Sequence, residues 1–394
     1  MFSNLSDESD ESDYDSPSQL TPLKRRKLQS TNTTPMTPLR SMTPLRSTED
    51  SKEELSEQLQ ELTDLDLSRF ELEDSNIRIK SFVSLHNYLL DLKSKNLICT
   101  MDSEWVVRKE SFGEGETPDV ESFKLHTNNP DLEAIGTKLL SDNANNRAEI
   151  QYYNYFTDVV LYNINPHFPL VSVSQECDLC NNIGIKLKKL NKCLLVFSEL
   201  ADGSASKYFP VGRNSYHLID ELLSMTCQIL MALITLKSAG VVHGDLNFGN
   251  ILYHDEQEEV QNKGKYLHYI YNNKHIYIKH EGKLWVLWDF GRTTPEGEYD
   301  SKDDRVNVNT FYVDVPSFLD RVNNRVSSTN LSKNIIMDMS DYCFENETIR
   351  DNTISEDGII ELLEKFPANF PNSMMIVSDS ERDDIEVIQP TYTL

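Results

Sequence analysis

The chain has few basic residues for its length and no long apolar run. Its 394 residues contain 38 Lys and Arg against 64 Asp and Glu, which gives a formal net charge of −26. Because a net anion is repelled by phosphate, this balance argues against a nucleic-acid-binding surface over most of the chain. No run of about 18 apolar residues is present, so we expect no membrane-spanning segment.

Cysteine is also scarce. Six cysteines in 394 residues are too few for a disulfide scaffold, so we expect free thiols in a reducing compartment. Cys177 and Cys180 form one C-x-x-C pair without a second pair or a histidine at zinc-finger spacing, and no zinc site is expected. Residues 1–15 are acidic and lack the apolar stretch of a secretory signal. These absences predict a soluble intracellular protein.

The first 50 residues are rich in Ser, Thr and Pro, and their charges are separated. Residues 1–20 carry acidic but no basic side chains, and residues 21–47 carry basic but no acidic ones. This composition predicts a disordered acidic and basic regulatory tail over residues 1–50.

A short repeat lies in this tail. Thr21, Thr37 and Thr43 each begin a Thr-Pro-Leu-Lys/Arg sequence, the pattern that proline-directed kinases phosphorylate, although a plain Thr/Pro-rich linker is the alternative. The basic run at residues 24–27 indicates a nuclear protein, with the cytoplasm as the other location. Phosphate on Thr21 would place negative charge beside that run.

Beyond residue 50, the spacing of apolar residues predicts an α+β protein. We expect a helical extension at 51–100 with helices near residues 55–62 and over 80–97, and an acidic C-terminal tail at 376–394. Between these ends the patterns predict strands within 104–126, a helix over 147–160, a buried strand at 193–197, a long helix over 218–236 and a helix over 357–366.

The most informative segment is a polar loop after the long helix. Residues 241–252 read Val-Val-His-Gly-Asp-Leu-Asn-Phe-Gly-Asn-Ile-Leu, which places Asp245 and Asn250 between a helix and a short apolar strand. A second apolar strand, 284–288, ends in Asp-Phe-Gly at Asp289. Three oxygen-bearing side chains near one cleft suit Mg²⁺, which takes few carboxylates together with substrate phosphates.

These two motifs, in this order, resemble the catalytic loop and the metal-binding Asp-Phe-Gly of the protein-kinase superfamily. The resemblance extends over residues 145–320. It implies a bilobal fold, with a small, mostly-β N-lobe that carries one regulatory helix and a reduced, mostly helical C-lobe. The implied lobes are residues 101–202, including the hinge, and residues 203–375. The implied activity is that of a serine/threonine protein kinase using ATP and Mg²⁺.

The resemblance also implies roles for the loop residues. Asp245 would orient the acceptor hydroxyl and take its proton, while Asn250 and Asp289 would hold the metal ions that bridge the ATP phosphates. His243 would pack the loop against the Asp-Phe-Gly strand. Asn247 stands where the family has a lysine, so it can hydrogen-bond a phosphate but supplies no charge.

Two further segments would bind the nucleotide by the same resemblance. Backbone groups of the hinge residues Glu199, Leu200 and Ala201 would hydrogen-bond the adenine. Gly113 and Gly115 supply two of the three glycines expected in the phosphate-covering loop, and the neighbouring acids are unfavourable beside phosphates.

The ATP-binding lysine has two candidates. Glu149, at the start of the regulatory helix, would be the partner of this lysine. We predict Lys124, which lies in an apolar-Lys-apolar pattern 25 residues before Glu149. Lys138 competes, but it precedes Glu149 by only 11 residues, which is short for the family.

Departures from the common pattern narrow the resemblance. Gly244 replaces the arginine that precedes the catalytic Asp, and 39 residues separate Asn250 from Asp289. The intervening residues 266–278 alternate as a hairpin with Asn272 and Asn273 at its turn. Asp314 is a candidate for the buried acid that braces the catalytic loop. Together these features are most similar to haspin-type kinases and to divergent kinases of large DNA viruses, so a viral origin is compatible.

Partners and competing functions follow from the same observations. A basic, histone-like protein substrate would suit a chain of net charge −26. One alternative is a small-molecule phosphotransferase of the choline or aminoglycoside type, since those enzymes share the His-Gly-Asp loop. The other is a catalytically dead scaffold, which the incomplete glycine loop and Asn247 favour and which the intact Asp245 and Asp289 oppose.

Overall fold

The computed structural model is a mixed α+β structure. It describes residues 65–70, 76–101, 104–111, 120–132, 134–178, 191–210, 218–255, 261–295, 311–325, 356–365, 374–378 and 385–394. Several predictions lie outside these residues, namely the tail at 1–50, the candidate phosphorylation sites Thr21, Thr37 and Thr43, the helix near 55–62, and Gly113 and Gly115.

An antiparallel sheet of five strands forms the first layer. Its strands are β1 (Val106–Ser111), β2 (Val120–Thr127), β3 (Ile135–Ser141), β4 (Val171–Asp178) and β5 (Lys192–Ser198), in the order β1-β2-β3-β5-β4. The central strands β3 and β5 are almost entirely buried. The strands predicted within 104–126 and at 193–197 are confirmed, whereas the sequence patterns did not identify β3 and β4.

Two helices accompany this sheet. They are α1 (Ile77–Ser94), which packs against β4, and α2 (Ala144–Leu161). An asparagine caps the start of each helix. The side-chain oxygen of Asn76, before α1, accepts the N–H of Ile79, and that of Asn143, before α2, accepts the N–H of Asn146, both at 3.0 Å. Such caps satisfy N–H groups that lack a partner within the helix. Both predicted helices are confirmed, and each begins three residues earlier than the apolar spacing indicated.

The long predicted helix is the centre of the remaining described chain. It is α4 (Ile219–Ser238), which follows the short helix α3 (Ala205–Tyr208) and contacts α5 (Phe311–Arg325) and α6 (Glu356–Lys365). Among the described helices, α4 alone is long and apolar enough to cross a membrane by length and composition. However, 83% of its most apolar window is buried inside the protein, as in the core helix of a folded domain.

Short strands hold the two motif loops. Strands β6 (Gly203–Ser204), β8 (Ile251–His254) and β11 (Leu284–Leu287) form a sheet in the order β11-β8-β6, and β7 (Val241–Val242) pairs with β12 (Thr294–Pro295). The His-Gly-Asp loop therefore lies between β7 and β8, and the Asp-Phe-Gly segment lies between β11 and β12.

The long insert between the motifs is a hairpin, as predicted. Strands β9 (Tyr266–Tyr271) and β10 (Lys274–Lys279) pair in register. Asn272 and Asn273 at the turn have φ values of 47° and 61°, which fit the two-residue hairpin turns that asparagine favours.

The predicted C-terminal tail at 376–394 is wrong where the structure describes it. Strand β13 (Met374–Ser378) pairs with β10, and β14 (Val387–Thr393) pairs parallel to β9, so both edges of the hairpin are covered. Tyr392 is buried and lies 5.4 Å from the ring of Tyr269. The acidic residues that indicated a tail fall mainly in 379–384, between the strands and outside the described residues.

The expectation of free thiols is also wrong for three described cysteines, since Cys99, Cys177 and Cys193 are all disulfide-bonded. Cys99, which follows α1, forms a disulfide with Cys177 at the end of β4. These residues are 78 positions apart, and only the packing of α1 against β4 brings them together. Cys227 is a buried free thiol, and burial raises its pKa to about 12.

A buried segment at 165–167 joins the five-stranded sheet to α4 and β11. The Asn165 side-chain amide donates to the carbonyl of Met231 and to the hydroxyl of Thr235, both at 2.9 Å. His167 lies 2.7 Å through Nδ1 from the carbonyl of Trp285, and its Nε2 contacts the hydroxyl of Tyr269. Since a carbonyl can only accept, Nδ1 carries the proton and Nε2 accepts from the tyrosine.

This network predicts a pH-dependent contribution to stability. Burial, with the nearby positive charge of Arg78, lowers the pKa of His167 to about 3 from its ordinary value of 6.5. The unfolded chain therefore binds a proton that the folded chain does not, and stability falls as the pH drops through this interval. At pH 5 the loss amounts to about 2 kcal/mol.

The measurement is the free energy of unfolding in urea between pH 7 and pH 5 for the parent, His167→Gln and His126→Gln. His126, a partly exposed residue of β2, is the matched control. We expect His167→Gln to lose about 2 kcal/mol less than the parent on acidification, and His126→Gln to follow the parent. Equal losses in all three proteins would contradict this account.

Candidate active site

The loop between β7 and β8 is braced by a buried acid. Asp314 of α5 is 1% exposed, and its carboxylate accepts the backbone N–H groups of His243 at 2.7 Å and Gly244 at 3.1 Å. Burial raises the pKa of this carboxyl, although the bonds to the loop oppose the rise. The sequence analysis identified Asp314 for this bracing contact, and the geometry confirms the contact.

The glycine before Asp245 has a conformational reason. Gly244 has a φ of +74°, and a Cβ there would lie 2.7 Å from the carbonyl oxygen of Arg292. An arginine at this position would have to adopt the left-handed backbone conformation, and its Cβ would clash with the backbone of Arg292. The conformation of this loop therefore explains why glycine stands at position 244 in place of the arginine of the kinase pattern.

Two amides hold the carboxylate of Asp245. Asn247 donates from Nδ2 to Oδ1 at 3.0 Å, and Asn250 donates from Nδ2 to Oδ2 at 3.2 Å. Asn250 also donates to the Asp245 carbonyl at 2.9 Å, and Asn247 accepts the N–H of Gly249 at 2.8 Å. Because Nδ2 of Asn250 is engaged with Asp245, its Oδ1 is the amide atom that can act as an oxygen ligand.

The Asp-Phe-Gly segment is joined to this loop by backbone contacts. The N–H of Trp288 donates to the carbonyl of Asn250 at 2.8 Å, and Nε2 of His243 donates to the carbonyl of Trp288 at 3.0 Å. The next residue, Asp289, has a φ of +67°, a backbone conformation that non-glycine residues adopt at a cost and that occurs often at functional sites. The structure thus brings Asp245, Asn250 and Asp289 into one region.

The phenylalanine of the segment is buried beneath α2. Phe290 is 1% exposed, and its ring stacks on Phe156 with centroids 4.8 Å apart. It also meets the rings of Tyr153 at 5.3 Å and His243 at 5.5 Å. This packing connects α2 with both motif loops.

A buried lysine connects the sheet, α2 and the Asp-Phe-Gly segment. Nζ of Lys138, on β3, contacts the carboxylate of Glu149, on α2, and lies 2.8 Å from Oδ1 of Asp289. Lys138 and Glu149 have side chains 6% and 2% exposed. The Tyr153 hydroxyl donates to Glu149 at 2.9 Å, and a Cβ at Gly291 would lie 3.2 Å from Glu149, so the pair is tightly enclosed.

Electrostatics keep Lys138 and Asp289 ionised. Burial opposes a charge on Lys138, but Glu149 and Asp289 more than compensate and raise the pKa of the ammonium above its ordinary value. Burial likewise opposes ionisation of Asp289, but the charge and hydrogen bond of Lys138 outweigh it and lower the pKa of that carboxyl. Near neutral pH the region therefore holds a fixed ammonium and an ionised carboxylate.

The prediction of Lys124 as the partner of Glu149 is wrong, because Lys138 occupies that place. Lys124 lies on β2 opposite Gly136 of β3. The 11-residue spacing is long enough for Lys138 to reach Glu149, because only residues 142 and 143 separate β3 from α2. A signal was present in Ile135-Gly136-Thr137-Lys138, which matches the apolar-small-apolar-Lys pattern of the third kinase strand except at Thr137.

Residues 199–201, which the sequence analysis predicted as the hinge and which keep that name below, follow β5 directly. Glu199 donates its N–H to Leu170 at 3.0 Å, and its carboxylate is buried against Arg78 of α1 at 2.6 Å. Leu200 and Ala201 are partly exposed. Gly136 is the residue that sequence reasoning missed here, because a Cβ on it would lie 2.7 Å from the carbonyl oxygen of Glu199. Only glycine lets β3 approach the hinge this closely.

The donor set fits Mg²⁺ better than a transition metal. Among the described residues, no group of three or more His, Cys, Asp or Glu side chains could hold a metal ion. Asn250 and Asp289 offer one amide oxygen and one carboxylate. Mg²⁺ is commonly held by one or two such ligands together with waters and substrate phosphates. Gly113 and Gly115 fall in the connection between β1 and β2, outside the described residues.

The bracing contact generates a prediction about stability. Asp314→Ala removes the acceptor of two buried N–H groups, and we expect it to lower the free energy of unfolding by about 2–4 kcal/mol. Asp314→Asn retains one oxygen and should fall between the parent and the alanine variant. Urea denaturation measures the change, with Asn324→Ala, an exposed polar residue on the same helix, as the control. An Asp314→Ala protein as stable as the Asn324→Ala protein would exclude the bracing role.

Comparison with known proteins does not supply a family at this point. A scan against models of known protein families finds no match, and a search of the curated proteins finds none either. The functional interpretation therefore depends on the geometry of the site.

Proposed function

We propose that this protein is an ATP- and Mg²⁺-dependent serine/threonine protein kinase. The observation that carries the proposal is the contact of Lys138 with both Glu149 and Asp289. In the same region, Asn250 and Asn247 hold the carboxylate of Asp245. In this proposal the five-stranded sheet with α2 forms the small lobe of a bilobal fold, and the elements around α4 form the larger one.

The proposed nucleotide lies between the hinge and Lys138. Backbone groups of Glu199, Leu200 and Ala201 would hydrogen-bond the adenine, with Gly136 allowing close approach from β3. The ammonium of Lys138 would bind phosphate oxygens, and Glu149 would keep it oriented. Asn250 and Asp289 would be the protein ligands of Mg²⁺, which when bound would neutralise negative charge on the phosphates.

Phosphoryl transfer requires mainly positioning and charge stabilisation. The acceptor hydroxyl would hydrogen-bond to the carboxylate of Asp245, which would orient it and take its proton. The hydroxyl oxygen would bond to the γ-phosphorus of ATP as the bond from that phosphorus to the β-γ bridging oxygen breaks, and ADP would leave. Asn247 and Asn250 keep the carboxylate in place. His243 and Asp314 hold the backbone of the loop.

The acceptor class and the cellular setting extend the proposal. The net charge of −26 favours a basic protein substrate, histone-like in composition, over an anionic one. The three Thr-Pro-Leu-Lys/Arg sequences support regulation by a proline-directed kinase, and the basic run at 24–27 supports a nuclear location. The intact contacts of Asp245, Asn250 and Asp289 support an active enzyme over a scaffold.

Transfer of labelled phosphate tests the proposal. With labelled Mg-ATP and a mixture of basic proteins, we expect the parent to label a protein and Asp245→Asn to label it at least about 100-fold more slowly. Asp245→Asn should still bind Mg-ATP, because the amide removes the proton acceptor and leaves the nucleotide contacts. Asp220→Asn, an exposed acid at the start of α4, is the control and should match the parent.

Other outcomes identify the alternatives. Labelling of aminoglycosides or choline without labelling of protein would favour a small-molecule phosphotransferase. No labelling and no thermal stabilisation by Mg-ATP would favour the dead scaffold. Equal labelling by the parent and Asp245→Asn would exclude Asp245 as the catalytic base.

A second prediction separates the two lysines. Lys138→Met removes the cation that faces Glu149 and Asp289, and we expect it to weaken Mg-ATP binding at least about tenfold because one phosphate-binding charge is lost. Lys124→Met, on the neighbouring strand, should bind Mg-ATP like the parent. Calorimetric titration measures both affinities at a temperature where circular dichroism shows both variants folded. Weaker binding in Lys124→Met than in Lys138→Met would reverse the assignment.

A further inference from the structure

An arginine from α1 is buried behind the hinge. Arg78 is 3% exposed, and its Nε and Nη2 atoms contact the two carboxylate oxygens of Glu199 at 2.9 and 2.6 Å. The guanidinium also donates to the carbonyls of Pro166 at 2.7 Å and Phe168 at 2.5 Å. This side chain therefore binds the hinge and the 165–167 segment at the same time.

Glu199 has further partners on the same side. Its carboxylate accepts the N–H of Leu170 at 2.8 Å, and Nε2 of His254 lies 3.4 Å away. Burial opposes ionisation of this carboxyl, but the positive charge of Arg78 keeps its pKa well below the ordinary value. The Glu199 side chain is thus an anion held behind the hinge, next to backbone groups assigned to adenine.

The helix that carries Arg78 is attached along its length. Phe82, Leu85 and Leu89 are buried in the core. Nδ1 of His86 lies 3.0 Å from the hydroxyl of Ser172 on β4, and the Cys99–Cys177 disulfide fixes the chain just beyond the C-terminal end of α1. Arg78 is therefore presented to the hinge by a helix with little freedom to move.

We propose that Arg78 is a positioning residue for the nucleotide, and that it acts through its ion pair with Glu199. This inference rests on the proposed function and adds a role for the extension that precedes the five-stranded sheet. Without the guanidinium, a buried carboxylate would lack its main counter-charge, and an unpaired buried charge is strongly unfavourable. The carboxylate of Glu199 would move toward solvent, where water can hydrogen-bond to it. This movement would displace the hinge backbone next to the proposed nucleotide.

The experiment compares Mg-ATP binding by the parent and four variants. Arg78→Ala removes the ion pair with Glu199. Arg78→Lys keeps the charge but loses the two-pronged contact, in which two nitrogens bind the two carboxylate oxygens. Arg78→Ala combined with Glu199→Gln removes both charges. Arg69→Ala is the control, because Arg69 also pairs with a carboxylate: its Nη2 donates to both oxygens of Asp158, at 3.1 and 3.3 Å, on a partly exposed surface remote in sequence from the hinge. Dissociation constants are measured where circular dichroism shows each protein folded.

We expect Arg78→Ala to weaken Mg-ATP binding about tenfold, Arg78→Lys to recover part of the loss, and the double variant to recover more than the single one. Arg69→Ala should bind like the parent. The turnover rate at saturating ATP should change less than KM for ATP, since the residue acts on the hinge and not on Asp245. A residue with a purely structural role would lower Tm without this selective loss of affinity.

The results that overturn the inference are distinct from those that overturn the kinase proposal. If the parent binds Mg-ATP and folded Arg78→Ala binds it equally well, the positioning role is wrong and the proposed function stands. If the parent does not bind Mg-ATP, the proposed function is wrong and the role of Arg78 falls with it. If Arg78→Ala does not fold, Arg78→Lys decides the question, because parent-like affinity in that variant excludes a need for the two-pronged contact.

Discussion

A lysine ammonium buried between two carboxylates is the interaction on which the candidate site depends. Burial of a single charge costs far more than a folded protein can tolerate, so Lys138 requires Glu149 and Asp289 close by. Each of the three residues belongs to a different element, namely β3, α2 and the segment after β11. Meeting the charge requirement therefore also fixes how these elements are arranged. The same requirement leaves a cation and an ionised carboxylate at the position proposed for the metal-bound phosphates of ATP.

The loop that carries Asp245 is positioned by polar contacts from several directions. Asp314 accepts its backbone N–H groups, His243 joins it to Trp288, and Asn247 and Asn250 hold the carboxylate of Asp245. Behind the hinge, Arg78 and Glu199 form a second buried ion pair. These pairings hold the elements around the candidate site in place.

The sequence predicted the parts of this protein whose signals are local. The hairpin at 266–278 follows from alternation and an Asn-Asn turn, and α4 follows from a long apolar period. The three oxygen-bearing residues Asp245, Asn250 and Asp289 were identified from two short motifs, and the structure brings them together. Lys138 was misjudged because β3 was not recognised, and without β3 an 11-residue separation from Glu149 looked too short to connect a strand with a helix.

Periodicity by itself determined the α+β character and the position of the core helix, and two short motifs determined the candidate residues of the loops, because these signals depend on neighbours within a few residues. Only the tertiary structure decided which lysine faces Glu149, that β13 and β14 cover the hairpin edges, that Cys99 meets Cys177, and that Arg78 reaches the hinge. Each of these contacts joins residues far apart in the chain or on elements the patterns did not identify. Which residues make these contacts depends on burial and charge in the folded protein. The spacing of residues along the chain does not specify that.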